Sequence, residues 1–207
     1  MKKLLATFCA TFLLASSASA TGFFVGADVL QASATHKASN PTNSAGGPQN
    51  SWKQDSDRTN YGVSAGVRAD VLNLLVSGEV FYDRLDTVAR DFPRTDGVVY
   101  PSDNIKLKDR SGVKANLGFA ILPKVTPFVT LGVASVNYQS NVYSAGVTKS
   151  KSEMAPLYGV GVLVDLPWGF TAKASYDYQK FDMRYAQEGS KIKTALGVAK
   201  LGVIYNF

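Results

Sequence analysis

The sequence predicts an all-β protein, an eight-stranded antiparallel up-and-down transmembrane β-barrel. Three observations predict it. The chain ends in a segment whose every second residue is apolar or small: Ala195, Gly197, Ala199, Leu201, Val203, Tyr205 and Phe207, with Lys200 and Asn206 among the residues between them. Seven earlier segments alternate in the same way. The connections between segments are short and long by turns. A strand of period two can show one face to lipid and the other to a polar interior.

The segments follow in order. About 22–34 places Phe23, Val25, Ala27 and Val29 opposite Gly26 and Asp28. About 59–72 alternates Tyr61, Val63, Ala65, Val67, Ala69 and Val71 with Gly62, Ser64, Gly66, Arg68 and Asp70. About 75–85 sets Val76, Gly78, Val80 and Tyr82 against Ser77, Glu79 and Asp83. About 105–122 sets Val113, Ala115, Leu117, Phe119 and Ile121 against Lys114, Asn116 and Gly118. About 127–138 starts with Val129, Leu131 and Val133 outward and loses a clear phase beyond Ser135. About 155–165 alternates Tyr158, Val160, Val162 and Val164 with Gly159, Gly161 and Asp165. About 170–181 alternates Phe170, Ala172, Ala174, Tyr176 and Tyr178 with Thr171, Lys173, Ser175, Asp177 and Gln179. Each segment is near or above the roughly 9–11 residues that a tilted strand needs to cross a bilayer.

Short connections fall at Leu72–Leu74, Leu122–Thr126 and Asp165–Gly169, and long ones at about 36–58, 86–104, 139–154 and 182–191. Short periplasmic turns and long outer loops are the outer-membrane rule, so both termini are expected in the periplasm. A two-residue turn at Asn73-Leu74 predicts Val71 opposite Val76, Ala69 opposite Gly78, Val67 opposite Val80 and Arg68 opposite Glu79. Phe23, Phe128, Trp168, Phe170, Tyr205 and Phe207 are expected in a belt at the turn end. Tyr61, Tyr82, Tyr138, Tyr158 and Tyr178 are expected in a belt at the other end, as two membrane interfaces would select. A soluble barrel or sandwich would turn its bulky face inward and most of its charge outward. Here the second face is rich in Gly, Ser and Ala and its charges balance.

The N-terminus predicts export. Lys2 and Lys3 precede the apolar run Leu4–Ala15, and Ala18-Ser19-Ala20 is a small-x-small cleavage site. Residues 1–20 therefore read as a signal peptide and 21–207 as one barrel domain. The single cysteine, Cys9, lies in the apolar run, so a processed chain has no thiol nucleophile, disulfide or zinc–thiolate site. Net charge is +6, mild for a nucleic-acid partner. No run of 18 apolar residues follows residue 20, so no transmembrane helix is expected.

Eight strands leave an interior that side chains can fill. The expected inward charges are Asp28, Asp70, Glu79 and Asp177 with Arg68, Lys114, Lys173 and Lys200. Isolated charges there would cost several kcal/mol each, so pairing is expected. The reading preferred is a salt-bridged plug, and the alternative is a small selective channel. A lipid-modifying enzyme comes third. Hydrolysis needs a nucleophile, a base and an orienting acid within reach. His36 is the only histidine, with Ser33 near it, and no lipase spacing surrounds them. Gly159-Val160-Gly161 and Gly62…Gly66 lie inside strands with no following helix, so they serve close packing rather than phosphate binding. No metal-ligand spacing is visible, and no cofactor is expected.

Lys106, Lys108 and Arg110 recur at every second position, as do Lys149 with Lys151 and Lys191 with Lys193, and Arg184 lies in the last long connection. On outward faces these cations would stand as a basic rim at the height of lipopolysaccharide phosphates. The segment Arg90, Asp91, Phe92, Arg94, Asp96, Val98, Val99, Tyr100 mixes signs around apolar residues and could contact a protein or glycan.

The final LGVIYNF, the strand–turn rhythm, and the TPFVTLGVASVNY segment at 126–138 resemble the small outer-membrane proteins of the OmpA/OmpX/Ail and opacity-protein type. The resemblance spans nearly the whole processed chain. It implies the outer membrane as location. It also implies insertion by the barrel-assembly machinery, which would read Leu201, Val203, Tyr205 and Phe207 as an assembly signal. Further, it implies a monomer whose loops serve adhesion to a host or matrix ligand, or contacts within the envelope. No catalytic role is expected.

Overall fold

The computed structural model describes residues 21–39, 51–90, 104–142, 147–184 and 191–207. Residues 1–20, expected as a signal peptide, and the central parts of the four long connections, 40–50, 91–103, 143–146 and 185–190, lie outside them. Eight strands run β1 Thr21–Ser39, β2 Ser51–Val71, β3 Leu74–Arg90, β4 Asn104–Phe119, β5 Val125–Val142, β6 Val147–Asp165, β7 Phe170–Arg184 and β8 Lys191–Asn206. Each pairs antiparallel with its sequence neighbours, and β1 pairs with β8 to close the barrel. The Phe207 amide donates to the Phe23 carbonyl at 2.9 Å and fastens the end of the chain to the first strand. Closure removes the free edge over the half nearest the short turns, while the β2–β3 ladder ends at Gly62↔Asp83 and the β6–β7 ladder at Leu157↔Gln179.

The strands are longer than the sequence suggests. Residues 36–39, 51–58, 86–90, 139–142, 147–154 and 182–184 were expected in connections and are strand. Their Ser, Thr, Asn and Lys content reads as loop. Yet β1–β2 pairing runs unbroken from Thr21↔Ala69 to Ser39↔Ser51, and β5–β6 pairing continues to Val142↔Val147. A neighbouring strand supplies the hydrogen bonds whatever the side chains prefer.

The β2–β3 register differs from expectation by two residues. The turn is Leu72-Asn73, which pairs Val71 with Leu74, Ala69 with Val76, Val67 with Gly78 and Arg68 with Ser77. The reason is the turn. A tight hairpin needs a positive φ at its first central position, and Asn is the usual choice. Leu72 takes that position instead, with φ 57°. A slip of two preserves the pleat, so every side chain keeps its expected face.

The wall is apolar outside over its half nearest the short turns. Phe23, Val25, Val29, Tyr61, Val63, Val80, Tyr82, Val113, Leu117, Val129, Leu131, Tyr158, Val160, Leu201 and Val203 are all exposed. At the turn end, Trp168, Phe170, Tyr205 and Phe207 form an aromatic edge, with Phe170–Tyr205 and Tyr205–Phe207 ring centroids 5.1 and 5.0 Å apart. Two expected belt residues are elsewhere. Phe128 and Tyr138 are buried inside the barrel, at 6% and 1% exposure. Both occupy even positions of β5, whose even residues face inward from Thr126 to Ser140. An aromatic ring can face lipid or fill a lumen, and parity decides which.

Candidate functional site: the charged lumen and the outer half of the barrel

The interior is layered. At the turn end, Arg68 donates to Asp70 at 2.8 Å and makes two bonds to Asp165 at 3.1 and 3.3 Å. Above it lies an apolar layer of Phe24, Leu75, Phe128, Leu163 and Ile204. Then comes a charged layer. Beyond it the lumen is packed with Leu30, Ala32, Leu85, Ile105, Leu107, Val136, Tyr138, Met183, Ile192, Leu196 and Val198, among others.

The charged layer holds four acids and four bases: Asp28, Glu79, Asp83 and Asp177 with Arg110, Lys114, Lys173 and Lys200. Arg110 is its hinge. Its Nε donates to Asp83 at 2.7 Å and its Nη2 to Asp177 at 3.0 Å. Lys200 Nζ donates to Asp83 at 2.6 Å. Lys173 lies 3.3 Å from both Asp28 and Glu79, and Lys114 lies 3.4 Å from Glu79. The Phe81 ring sits among the cations, with Arg110, Lys114 and Lys200 at 5.4, 5.2 and 4.9 Å from its centroid. Ring quadrupole and carboxylates together replace the hydration that these cations lose on burial. Asn116 extends the network, donating to Ser77 at 3.0 Å and accepting from Thr130 at 2.7 Å.

Register places these groups. On β3, Glu79, Phe81 and Asp83 are successive inward residues, facing Lys114, Gly112 and Arg110 of β4. Glycine stands opposite the aspartates: Gly202 and Gly62 flank Asp28, Gly62 also faces Asp83, and Gly159 faces Asp177. A Cβ built on Gly202, Gly62 or Gly159 would run into the carboxylate beside it. The packing glycines of the sequence thus make room for carboxylates in a narrow wall. A cavity of about 20 Å³ touches Phe24, Arg68, Glu79, Asn116, Phe128 and Lys173, space for about one water.

Six of the eight expected inward charges are in the central layer. The other two, Arg68 and Asp70, form the separate cluster with Asp165 near the turns. Two members differ from the expected set. Asp83, on the inward face of its segment, joins the network beyond the eight expected charges. Arg110, expected on the basic rim, is fully buried in the lumen. Arg110 and Lys114 share parity on one strand, so they share a face. Lys106 also has that parity but points outward, because a β-bulge between Leu107 and Asp109 inserts one residue and reverses the phase. A second irregularity on β3, between Arg84 and Thr87, matches it, with Asp86 at φ 46°.

The remaining rim residues are dispersed. Lys106 binds Asp86 at 2.9 Å, and Arg84 binds the same carboxylate. Lys108 is half-buried, and Lys151 and Lys193 are exposed. Lys149, Arg184 and Lys191 occupy strand positions near the top of β6, β7 and β8, and their side chains lie outside the described set. The Leu201, Val203, Tyr205 and Phe207 side chains all point outward along β8. His36 is buried in the outer half, its Nδ1 3.0 Å from the Thr194 hydroxyl. Burial pushes its pKa down to about 4, against the opposing pull of Asp55. Among the described residues no group of acids, histidines or cysteines has metal-binding spacing.

Comparison with solved structures gives the same architecture. The chain is similar to Neisserial surface protein A, at 16% identity and a TM-score of 0.54, over 89% of this chain and 97% of that one. It is also similar to the outer membrane protein AlkL, whose structure was determined in lipid bilayers, at 14% identity and a TM-score of 0.57, over 93% of each chain. At such identities the likeness concerns fold alone. No curated protein matches the sequence. The family model described as "Outer membrane protein beta-barrel domain" matches residues 4–207. With its closed barrel, apolar exterior and charged interior, the chain belongs to that outer-membrane β-barrel family.

Proposed function

We propose that this protein is a non-enzymatic surface protein of the outer membrane, a sealed barrel that carries its outer half beyond the bilayer for adhesion or for contact within the envelope. The observation that carries this reading is a reversal of polarity along β1, β4, β7 and β8. On β1 the inward residues run Phe24, Gly26, Asp28, Leu30, Ala32, Ala34, while the outward residues run Val25, Ala27, Val29, Gln31, Ser33, Thr35. The outer half is therefore a water-exposed barrel with its own apolar core. Nothing about spanning a membrane requires it. A rigid stalk that lifts residues 40–50 and 91–103 away from the lipid surface has that use. In this reading the turns and both termini lie in the periplasm, residues 1–20 are removed on export, and the terminal aromatic is the assembly signal.

A salt-bridged layer held between two apolar layers opposes conduction. Charges neutralised by one another do not hydrate a path, and the apolar layers exclude water on both sides. Purified protein in liposomes is expected to give no size-dependent uptake of sugars. Stable single-channel conductance at physiological voltage would overturn the plug. Adhesion is tested on cells carrying the intact protein, with 40–50 and 91–103 replaced by short Gly-Ser turns. Binding to host cells or matrix is expected to fall at least tenfold with the barrel still assembled. Unchanged binding after both replacements would remove the adhesive role.

A further inference from the structure

We propose that the free edge of β2, on the loop side of Gly62, is a docking strand to which an extended segment of another polypeptide, basic at every second residue, adds as a further strand. The proposal deepens the adhesive reading and rests on the loop end of the barrel facing outside. The outer half of β2 is held on one side only. Its pairing with β1 runs unbroken to Ser39↔Ser51, but its ladder with β3 stops at Gly62↔Asp83. One step higher, the Asn60 side-chain amide donates to the Leu85 carbonyl at 2.6 Å in place of a backbone rung. Among the described residues, every other strand sends a buried apolar side chain into the outer core, and β2 sends none. Gln54, Ser56 and Asn60 have inward parity yet are only half-buried, and Arg58 is exposed. A strand with one neighbour and no core is costly to order on its own. The pleat assigns its edge residue by residue. The Phe23 carbonyl accepts from the Phe207 amide, so odd residues of β1 bond towards β8 and even ones towards β2. Even residues of β2 lie opposite even residues of β1 and bond to them, so Asp57 and Thr59 direct their N–H and C=O to the other side. No strand among the described residues pairs with β2 there.

Open edges are a liability that proteins blunt with bulges, prolines or short strands. The other three edges of the two seams are blunted. β3 turns at Asp86, φ 46°, where its register with β4 shifts. β6 carries Pro156, which has no N–H, and the Gln179 amide donates to the carbonyls of Ala134 and Ala155 at 2.8 and 3.1 Å. β7 ends at Arg184, soon after its last rung to β6 at Gln179. β2 has neither bulge nor proline from Ser51 to Gly62. Its edge opens level with Gln31, where the outside of β1 turns polar, so an incoming strand meets it in water. In strand addition, main-chain bonds supply affinity and alternate side chains supply choice. Asp55 and Asp57 are exposed on the outward face of β2, and opposite charges across a sheet attract. The partner strand therefore carries lysine or arginine at every second residue on that face. On the other face, the Gln54 Oε1 and Ser56 Oγ oxygens are buried with no hydrogen-bond partner among the described residues. They accept from hydroxyl or amide side chains, so the intervening residues of the partner are polar.

The test uses the full processed protein in neutral maltoside micelles. The probe is a peptide of about nine residues alternating lysine with threonine, a residue suited to strands. One control is the same peptide with alternate backbone amides N-methylated, which cannot extend a sheet, and another replaces lysine by glutamate. Binding of the lysine peptide is expected to slow amide exchange at 54–60, and the N-methylated peptide to bind at least tenfold more weakly. Thr59→Pro deletes an N–H from the free edge and leaves the β1 ladder whole, whereas Thr59→Val keeps that N–H. The proline variant is expected to lose at least tenfold in affinity and the valine variant under twofold. Asp57→Lys should weaken the lysine peptide and favour the glutamate one. Should Thr59→Pro fail to fold, the N-methylated peptide decides on the unaltered protein. Equal affinity for the methylated and unmethylated peptides would overturn the proposal, as would equal losses in Thr59→Pro and Thr59→Val. So would slow exchange at 54–60 before any probe is added, since the edge would then be paired already. Labelling of Thr59→Cys on intact cells with an impermeant maleimide separates the two readings: no labelling sinks the outward orientation, whereas labelling with no peptide binding sinks only the docking strand.

Discussion

The half of the barrel nearest the turns and the half nearest the long connections are built on the same pleat and are opposite in chemistry. Near the turns, lipid-type side chains cover the outside and charges fill the middle. Near the loops, leucine, isoleucine and valine fill the middle while serine, threonine and lysine cover the outside. No strand turns over between them except β4 at its bulge, since β3 keeps its odd residues inward from Glu79 to Ala89. The pleat decides which residues face in, and the surrounding solvent decides what those residues must be. A wall in lipid can hide its charges only inside, and a wall in water can hide its apolar groups only inside.

The contrast breaks most visibly in the charged layer. Arg110→Leu strips Asp83 and Asp177 of their shared guanidinium in a buried site, and is expected to cost about 3–5 kcal/mol of unfolding free energy in urea titrations in detergent. Adding Asp83→Leu should restore part of that loss, since a buried pair replaced by apolar groups is often neutral. An Arg110→Leu variant of unchanged stability would mean that the network is solvated.

A second break moves charge to the outer face. Val129→Arg, on the apolar exterior, is expected to cost about 2–4 kcal/mol for a barrel in liposomes, and Ser33→Arg above the band within about 0.5 kcal/mol. Equal costs at both positions would show that the two halves share one environment. Trimming a methylene tests the outer core: Ile105→Val should cost about 0.5–1.5 kcal/mol by the same titration. No measurable cost would mean that the outer lumen is loosely packed.

The smallest effect is that of pH. His36 lies above the band, and its folded pKa of about 4 is below the ordinary value of 6.5. Between those values the unfolded chain binds the proton and the folded chain does not. Stability is thus expected to fall as pH drops from 6.5 to about 4 and to lose no more to this group below that. His36→Gln should flatten that portion of the profile, and an unchanged profile would assign the slope to other groups.

Much of the site was legible in the residue pattern. Period-two alternation put Asp28, Glu79, Lys114, Lys173, Asp177 and Lys200 on inward faces, and all six are in the central layer. Arg110 was legible too, since it shares parity with Lys114, but its spacing with Lys106 suggested a rim. A bulge leaves no mark in composition, so the phase break at Lys108 was hidden. Tyr138 lies above the membrane on an inward position, where a ring packs the dry core instead of joining an interfacial belt.

By itself, the sequence determined the number of strands, their order, the faces of the unbroken period-two segments and the membrane side of the wall. These follow from a backbone pleat of period two and a solvent that sorts apolar from charged groups, both local to each segment. The tertiary structure alone decided how far each strand extends, the register at Leu72-Asn73, and which charge meets which. Those depend on hydrogen-bond partners and counter-ions supplied by strands distant in the chain, and a single segment contains no information about its neighbours.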